Sequence, residues 1–133
     1  MLIVLDTNVI VSGLINPYGA PARLIDLVLS AALQVAFDDR ILAEYTDVLS
    51  RPPFGFSLAD INALLDHIRM TGSPIVVGIT PLQDCPHPGD LPFGEVAIAA
   101  KVDALVTGNA GHFGFLATRG VRVVSPAKFI ADL

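Results

Sequence analysis

Five short apolar runs punctuate the chain, and the segments between them carry hydrophobic positions at helical spacing. Leu2–Leu5 is a continuous run of branched and large apolar residues, which predicts a strand covered on both faces. Similar runs follow at 33–37, 74–79, 104–106 and 121–124. A first short helix is predicted after Asp6, where Thr7 and Asn8 are good caps and Val9, Ile10 and Val11 resume the apolar pattern. Asn16-Pro17-Tyr18-Gly19 breaks it, and 20–32 reads as a second helix with Pro21 in its first turn. Arg23, Asp26 and Ser30 are its one polar stripe, so this helix needs cover from the sheet or from another subunit.

A third helix runs from about Arg40 to Ser50, opened by Asp38-Asp39, with Ile41, Leu42, Tyr45, Val48 and Leu49 on its core face. Arg51-Pro52-Pro53 ends it. Ser57 caps a fourth helix, with Asp60 three residues on as a weak capping box. The segment 80–89 holds three prolines and a glycine and reads as a loop; Asp90 then caps a helix to about Lys101, and Ser125-Pro126 starts a last one. Strands alternating with helices mean parallel strands, right-handed crossovers and helices on both faces. The absence of repeats, linkers and low-complexity segments makes residues 1–133 a single domain of α/β class.

Composition narrows the setting. The chain has 133 residues, of which 53% are hydrophobic and 16% charged. Its mean hydropathy is +0.64, high for a small chain, and an association surface is the usual use of such a surplus. The most apolar stretch, 24–37, is interrupted by Asp26, Ser30 and Gln34 and falls short of the ~18 residues of a membrane span. With no signal peptide at the N-terminus, a cytoplasmic protein without membrane contact is expected. The lone Cys85 has no internal disulfide partner and reads as an inert thiol. A net charge of −5 and a pI near 4.8 argue against a broad basic footprint for nucleic acid. They do not argue against acids that grip phosphate through a cation.

The candidate chemistry lies at predicted strand and helix tips. Asp6 ends the first strand, where an unpaired carboxylate is too costly to bury. It faces a crevice, or it merely caps the next helix, and the two readings are equally open on this stretch alone. Asn109 follows the fourth strand. With strand order 3-2-1-4-5 these tips are neighbours at the point where the winding reverses, the usual ligand crevice. Asp90 opens the helix feeding the fourth strand and so belongs to the same edge. Glu44 lies one position off the core face of its helix and leans over that edge, or it pairs with Arg40 at i,i−4.

Four segments together resemble the PIN-domain ribonucleases, specifically the small bacterial toxin components similar to the VapC-like toxins. They are VLDTNVIVSGL, ILAEYTDVLSRP, DLPFGEVAIAAKVDALVTGN with HF close behind, and VRVVSPAKFI. The resemblance implies a three-layer α/β/α PIN-like fold with a parallel sheet of about five strands in the order 3-2-1-4-5. It implies a metal-dependent endoribonuclease, with Mg²⁺ or Mn²⁺ held by carboxylates. Carried over position by position, Asp6, Glu44 and Asp90 are the metal-binding and catalytic acids and Asn109 the fourth catalytic position. Thr7, Asn8, Ser12, Glu95 and Thr107 are supporting candidates, Glu95 for the metal or its water.

Two departures weaken the metal site: His87 stands where many relatives have an acid, and Asn109 is neutral. His87 and His112 have no partner imidazole at ligand spacing, so His112 reads as structural and His87 as a loop residue. The expected partners are an RNA substrate, a cognate antitoxin and a second copy of the chain. An aspartyl-nucleophile phosphatase also begins with a strand ending in Asp, but it needs a second acid where this chain has Asn8. A non-catalytic RNA- or protein-binding module on the same fold is the other reading.

Overall fold

The computed structural model describes residues 1–78 and 82–133. Strands β1 (Leu2–Leu5), β2 (Gln34–Phe37), β3 (Ser73–Pro74), β4 (Ala104–Val106) and β5 (Val123–Val124) form one sheet. Its order is β3-β2-β1-β4-β5 and every pairing is parallel. The helices are α1 (Thr7–Ile15), α2 (Ala20–Leu29), α3 (Asp39–Leu49), α4 (Leu58–Thr71), α5 (Leu91–Ala100) and α6 (Pro126–Ala131). Short 3-10 segments cover Pro52–Phe54, Pro88–Asp90 and Ala110–Arg119. Among the described residues no helix is long and apolar enough to cross a membrane.

The sheet order decides where the helices go. Two leftward crossovers from β1 to β3 place α1 to α4 on one face, and the rightward return to β4 places α5 on the other. α6 comes back to pack on α2. The central strands are sealed from both sides: Ile3, Val4, Leu5, Ala104, Leu105 and Val106 are all buried. α3 touches both α1 and α5, so it leans across the edge where the strands end. Tyr45 fixes that lean, because its fully buried hydroxyl donates to the Leu5 carbonyl at the end of β1.

Several expectations shift. The third strand, expected over 74–79, is only Ser73–Pro74, and Ile79 lies outside the described residues. Pro74 brings no N–H, and the pairing with β2 ends once the Ile75 N–H has reached the Phe37 carbonyl. The fifth strand shrinks from 121–124 to Val123–Val124. The second helix stops at Leu29 rather than 32, since Ala31 takes a left-handed backbone at φ 62. The loop expected over 80–89 closes with the 3-10 turn at Pro88–Asp90, while Thr80 and Pro81 lie outside the described residues. Ser57 does cap α4, accepting from the Asp60 N–H. α2 is also less in need of a second subunit than its sequence implies. Leu24, Ile25 and Val28 are covered by this chain's own helices, and Leu29 is left exposed.

Gly72 joins α4 to β3 at a close approach. A Cβ there would sit 2.5 Å from both the Ile68 and Val35 carbonyl oxygens, neither of which can swing away. Gly72→Ala is therefore expected to destabilise the fold by about 1–3 kcal/mol or more, as overpacking does. Urea unfolding of the variant at wild-type stability would refute this reading of the α4–β3 junction.

Candidate active site

Parallel register brings the first polar pair together. Leu5 pairs with Val106, and the Asp6 N–H donates to the Val106 carbonyl at 3.0 Å. The next residues on each strand are thus Asp6 and Thr107. The Thr107 hydroxyl, fully buried, donates to Asp6 Oδ2 at 2.7 Å, and its oxygen accepts the Asn109 N–H at 3.0 Å. Asp6 stands at the N-cap position of α1, yet its carboxylate makes no capping bond. The cap reading of Asp6 therefore fails at the side chain, and Thr7 opens the helix rather than capping it.

Glu44 reaches the same edge from α3. Its Oε2 accepts the Thr7 hydroxyl, and its Oε1 faces the Pro88–Asp90 turn, 4.0 Å from where a Cβ on Gly89 would lie. It does not pair with Arg40. That guanidinium instead holds Asp38 through Nε at 3.0 Å and Nη2 at 2.8 Å, and Glu95 through Nη1 at 2.7 Å. Glu95 is buried, and what it touches is this arginine, which ties the start of α3 to α5. Asp38 completes the clasp by capping α3 at the Ile41 N–H.

Asp90 is entered through a 3-10 turn with an αR backbone, so it does not cap α5 with its side chain as expected. Its Oδ2 is buried and makes no hydrogen bond among the described residues, although His112 Nδ1 lies 3.5 Å away. An orphaned buried carboxylate oxygen costs roughly 1–3 kcal/mol or more without a partner. Asn8 bridges to Gly108, accepting its N–H at 3.4 Å. Ser12 is exposed one turn further along α1, in an apolar groove with Val9, Pro21 and Pro126. Asn109 is exposed at the lip, and its backbone rather than its amide is engaged.

Electrostatics point to the same crevice. Burial raises the Asp6 carboxyl above its usual range; the Thr107 hydroxyl opposes that rise, and the charges of Asp90 and Glu44 add to it. Tyr45 is raised well above a normal phenol by burial and then by Asp6 and Glu44. Cys85 is raised by burial first and by the nearby acids, which keeps it a thiol.

The donor set fits a hard divalent cation. It is all oxygen, it is mutually repulsive, and it includes one buried oxygen without a partner. Among the described residues no three acids, imidazoles or thiols are grouped as a set that could hold a metal ion. Mg²⁺ does not ask for a set of three, since it keeps several waters and takes one or two carboxylates plus substrate phosphate.

A parallel α/β sheet with carboxylates at its reversal point places an acidic crevice where such folds bind their ligands. The PIN domain model matches residues 2–111, and the chain belongs to that family, whose fold is generally that of a nuclease. No curated protein matches the chain.

Sequence reasoning missed two groups. One is the Arg40 clasp, whose signal was an arginine four residues before Glu44 that was read only against Glu44. The other is the pairing of His87 with His112, 25 residues apart, whose tilted rings lie 4.3 Å apart between centroids. No sequence spacing marks that pair.

A raised carboxyl has a defined linkage. Asp6 binds its proton more tightly folded than unfolded, so its contribution to stability falls as pH rises from about 3.8 through its raised folded value. Asp6→Asn removes that loss. The metal-free variant is expected to match or exceed the wild type in melting temperature at pH 7, and to lose its advantage below pH 3.8. Thermal melts of both proteins from pH 3 to 7 in EDTA check this; a variant less stable at pH 7 would contradict it.

Proposed function

We propose that the protein is a Mg²⁺- or Mn²⁺-dependent endoribonuclease and the toxin component of a toxin–antitoxin pair similar to the VapC-like toxins. The observation that carries the nuclease reading is the convergence of Asp6, Glu44 and Asp90 at one sheet edge, with the Asp90 oxygen left unpartnered. Asp6, Glu44 and Asp90 are the residues that would hold the ion. A bound divalent ion supplies an activated water and offsets the negative charge that builds on the phosphate during hydrolysis.

The chain's own residues do the rest. Thr107 holds one Asp6 oxygen and so turns the carboxylate into the crevice. Thr7 fixes Glu44 in the same way. Glu95, neutralised by Arg40, serves as a structural anchor for α5. Asn109 adds an uncharged oxygen, so metal affinity is weak, in the millimolar range.

The toxin reading rests on the likeness of the four sequence segments. An antitoxin peptide that places an arginine against the carboxylates would complement the crevice. Exposed Ile15, Tyr18 and Leu29 at the ends of α1 and α2 support a homodimer, on a narrower base than the whole of α2. Light scattering at high micromolar concentration tests the dimer, and a monomer there would exclude it. Co-purification with the product of the neighbouring gene tests the antitoxin, and recovery of the chain alone would count against it.

Cleavage of RNA is expected with Mn²⁺, absent in EDTA, and abolished in Asp6→Asn. Metal should also stabilise the wild type by about 2.7 kcal/mol at a hundredfold excess over its dissociation constant. Asn109→Asp should lower the Mn²⁺ concentration giving half-maximal thermal shift. Full Mn²⁺-dependent cleavage by Asp6→Asn would overturn the site assignment.

A further inference from the structure

The acidic crevice raises a problem that the three carboxylates do not solve: how an anionic strand is held there. Most cationic side chains already face a carboxylate of this chain. Among the described residues six of the eight lysines and arginines pair with a carboxylate: Arg40, Arg51, Arg69, Arg119, Arg122 and Lys128. Of the others, Lys101 ends α5 at the opposite edge of the sheet, and Arg23 sits on α2. Among the described residues no arginine or lysine pairs with Asp90, which faces His112 instead.

Two imidazoles stand there instead. His112, on the 3-10 segment after β4, turns Nδ1 toward Asp90 at 3.5 Å. His87, just before the Pro88–Asp90 turn, lies against it, with ring centroids 4.3 Å apart and planes inclined by 31°. Both residues remain exposed, with nearly half of the His112 side chain open to solvent.

The pair is held in place from the His87 side. Pro86 and Pro88 restrict the backbone on either side of His87, and the Cys85 thiol donates to the His87 carbonyl at 3.0 Å. A core role does not explain two exposed rings. A metal cage does not either, since no third ligand completes one among the described residues. Two exposed aromatic faces, held together at the lip of the acidic crevice, have the character of a stacking platform. Single-stranded RNA is recognised by just such stacking of unpaired bases on aromatic side chains, histidine included.

We propose that the His87–His112 pair is a nucleobase-binding subsite that holds a base of single-stranded RNA beside the acidic crevice. The inference rests on the nuclease reading for its substrate class, but it concerns binding rather than cleavage. Stacking works without net positive charge, which suits a chain with a net charge of −5.

The test is binding of a fluorescein-labelled pool of single-stranded oligoribonucleotides, followed by anisotropy in EDTA so that no strand is cut. Replacing both rings (H87A together with H112A) is expected to weaken binding by about five- to a hundredfold, the range for loss of one stacked base. Phenylalanine at both positions keeps the π surface without the ring nitrogens and should restore most of it. Equal binding by the alanine and wild-type proteins overturns the proposal, and so does phenylalanine binding as weakly as alanine. Cleavage with Mn²⁺ separates this from the nuclease reading. Wild type that binds RNA but never cuts it defeats that reading and leaves the subsite standing. Wild type that cuts, beside an alanine variant with unchanged KM, defeats the subsite alone.

Discussion

The constraint on which the structure depends is a carboxylate placed where a sheet interior meets solvent. Asp6 continues the central strand of the sheet, and its backbone is still paired to β4. A charge at that point is tolerable only if its surroundings supply donors, water or a cation. Much of the local architecture answers that need. Thr107 is the in-register neighbour that supplies a hydroxyl, and α1 begins at once, so the chain turns away and leaves the carboxylate at the edge. Tyr45 anchors α3 to the end of the same strand, which delivers Glu44 to the same place. Burial raises the proton affinity of Asp6, the charges of Asp90 and Glu44 add to it, and that repulsion is maintained by rigid neighbours rather than relieved by rotation.

Two clasps keep the crevice edge from relaxing. Arg40, held by two hydrogen bonds to Asp38, locks the start of α3 to α5 through one to Glu95, and Thr7 with Glu44 locks α1 to α3. Arg40 binds its proton more firmly than a free arginine, because the bonds to Glu95 and Asp38 outweigh the opposing effect of partial burial. Glu95 thus has a structural explanation that does not require a cation, which separates it from Asp6, Glu44 and Asp90.

Much of the fold was legible because the strands that matter most are short, continuous and apolar, and because caps such as Asp38, Ser57 and Ser125 are local signals. The sheet order followed from the family resemblance, and the parallel strands from the alternation of strands with helices. What was not legible depends on contacts between distant residues. Asp90, expected to cap, and Asp6, for which a cap was one of two open readings, occupy cap positions but make no side-chain capping bond, and only a neighbour across the sheet or an adjoining turn reveals it. Arg40 and Glu95 are 55 residues apart, and no periodicity links them. The third strand failed as a prediction because β-rich composition over 75–77 says nothing about whether a pairing partner continues. β2 ends at Phe37, and a strand has nothing to pair with beyond it.

Both margins of the sheet are two residues long. β3 carries a proline that removes a backbone donor, and β5 runs straight into the Ser125-Pro126 cap of α6. A sheet whose rims are this short offers almost no template for another chain's strand. Growth by strand addition, the route by which hydrophobic parallel sheets most easily become fibrils, is thereby closed at both ends. For a chain this apolar, solubility is governed by how its helical faces are covered, not by its β-sheet.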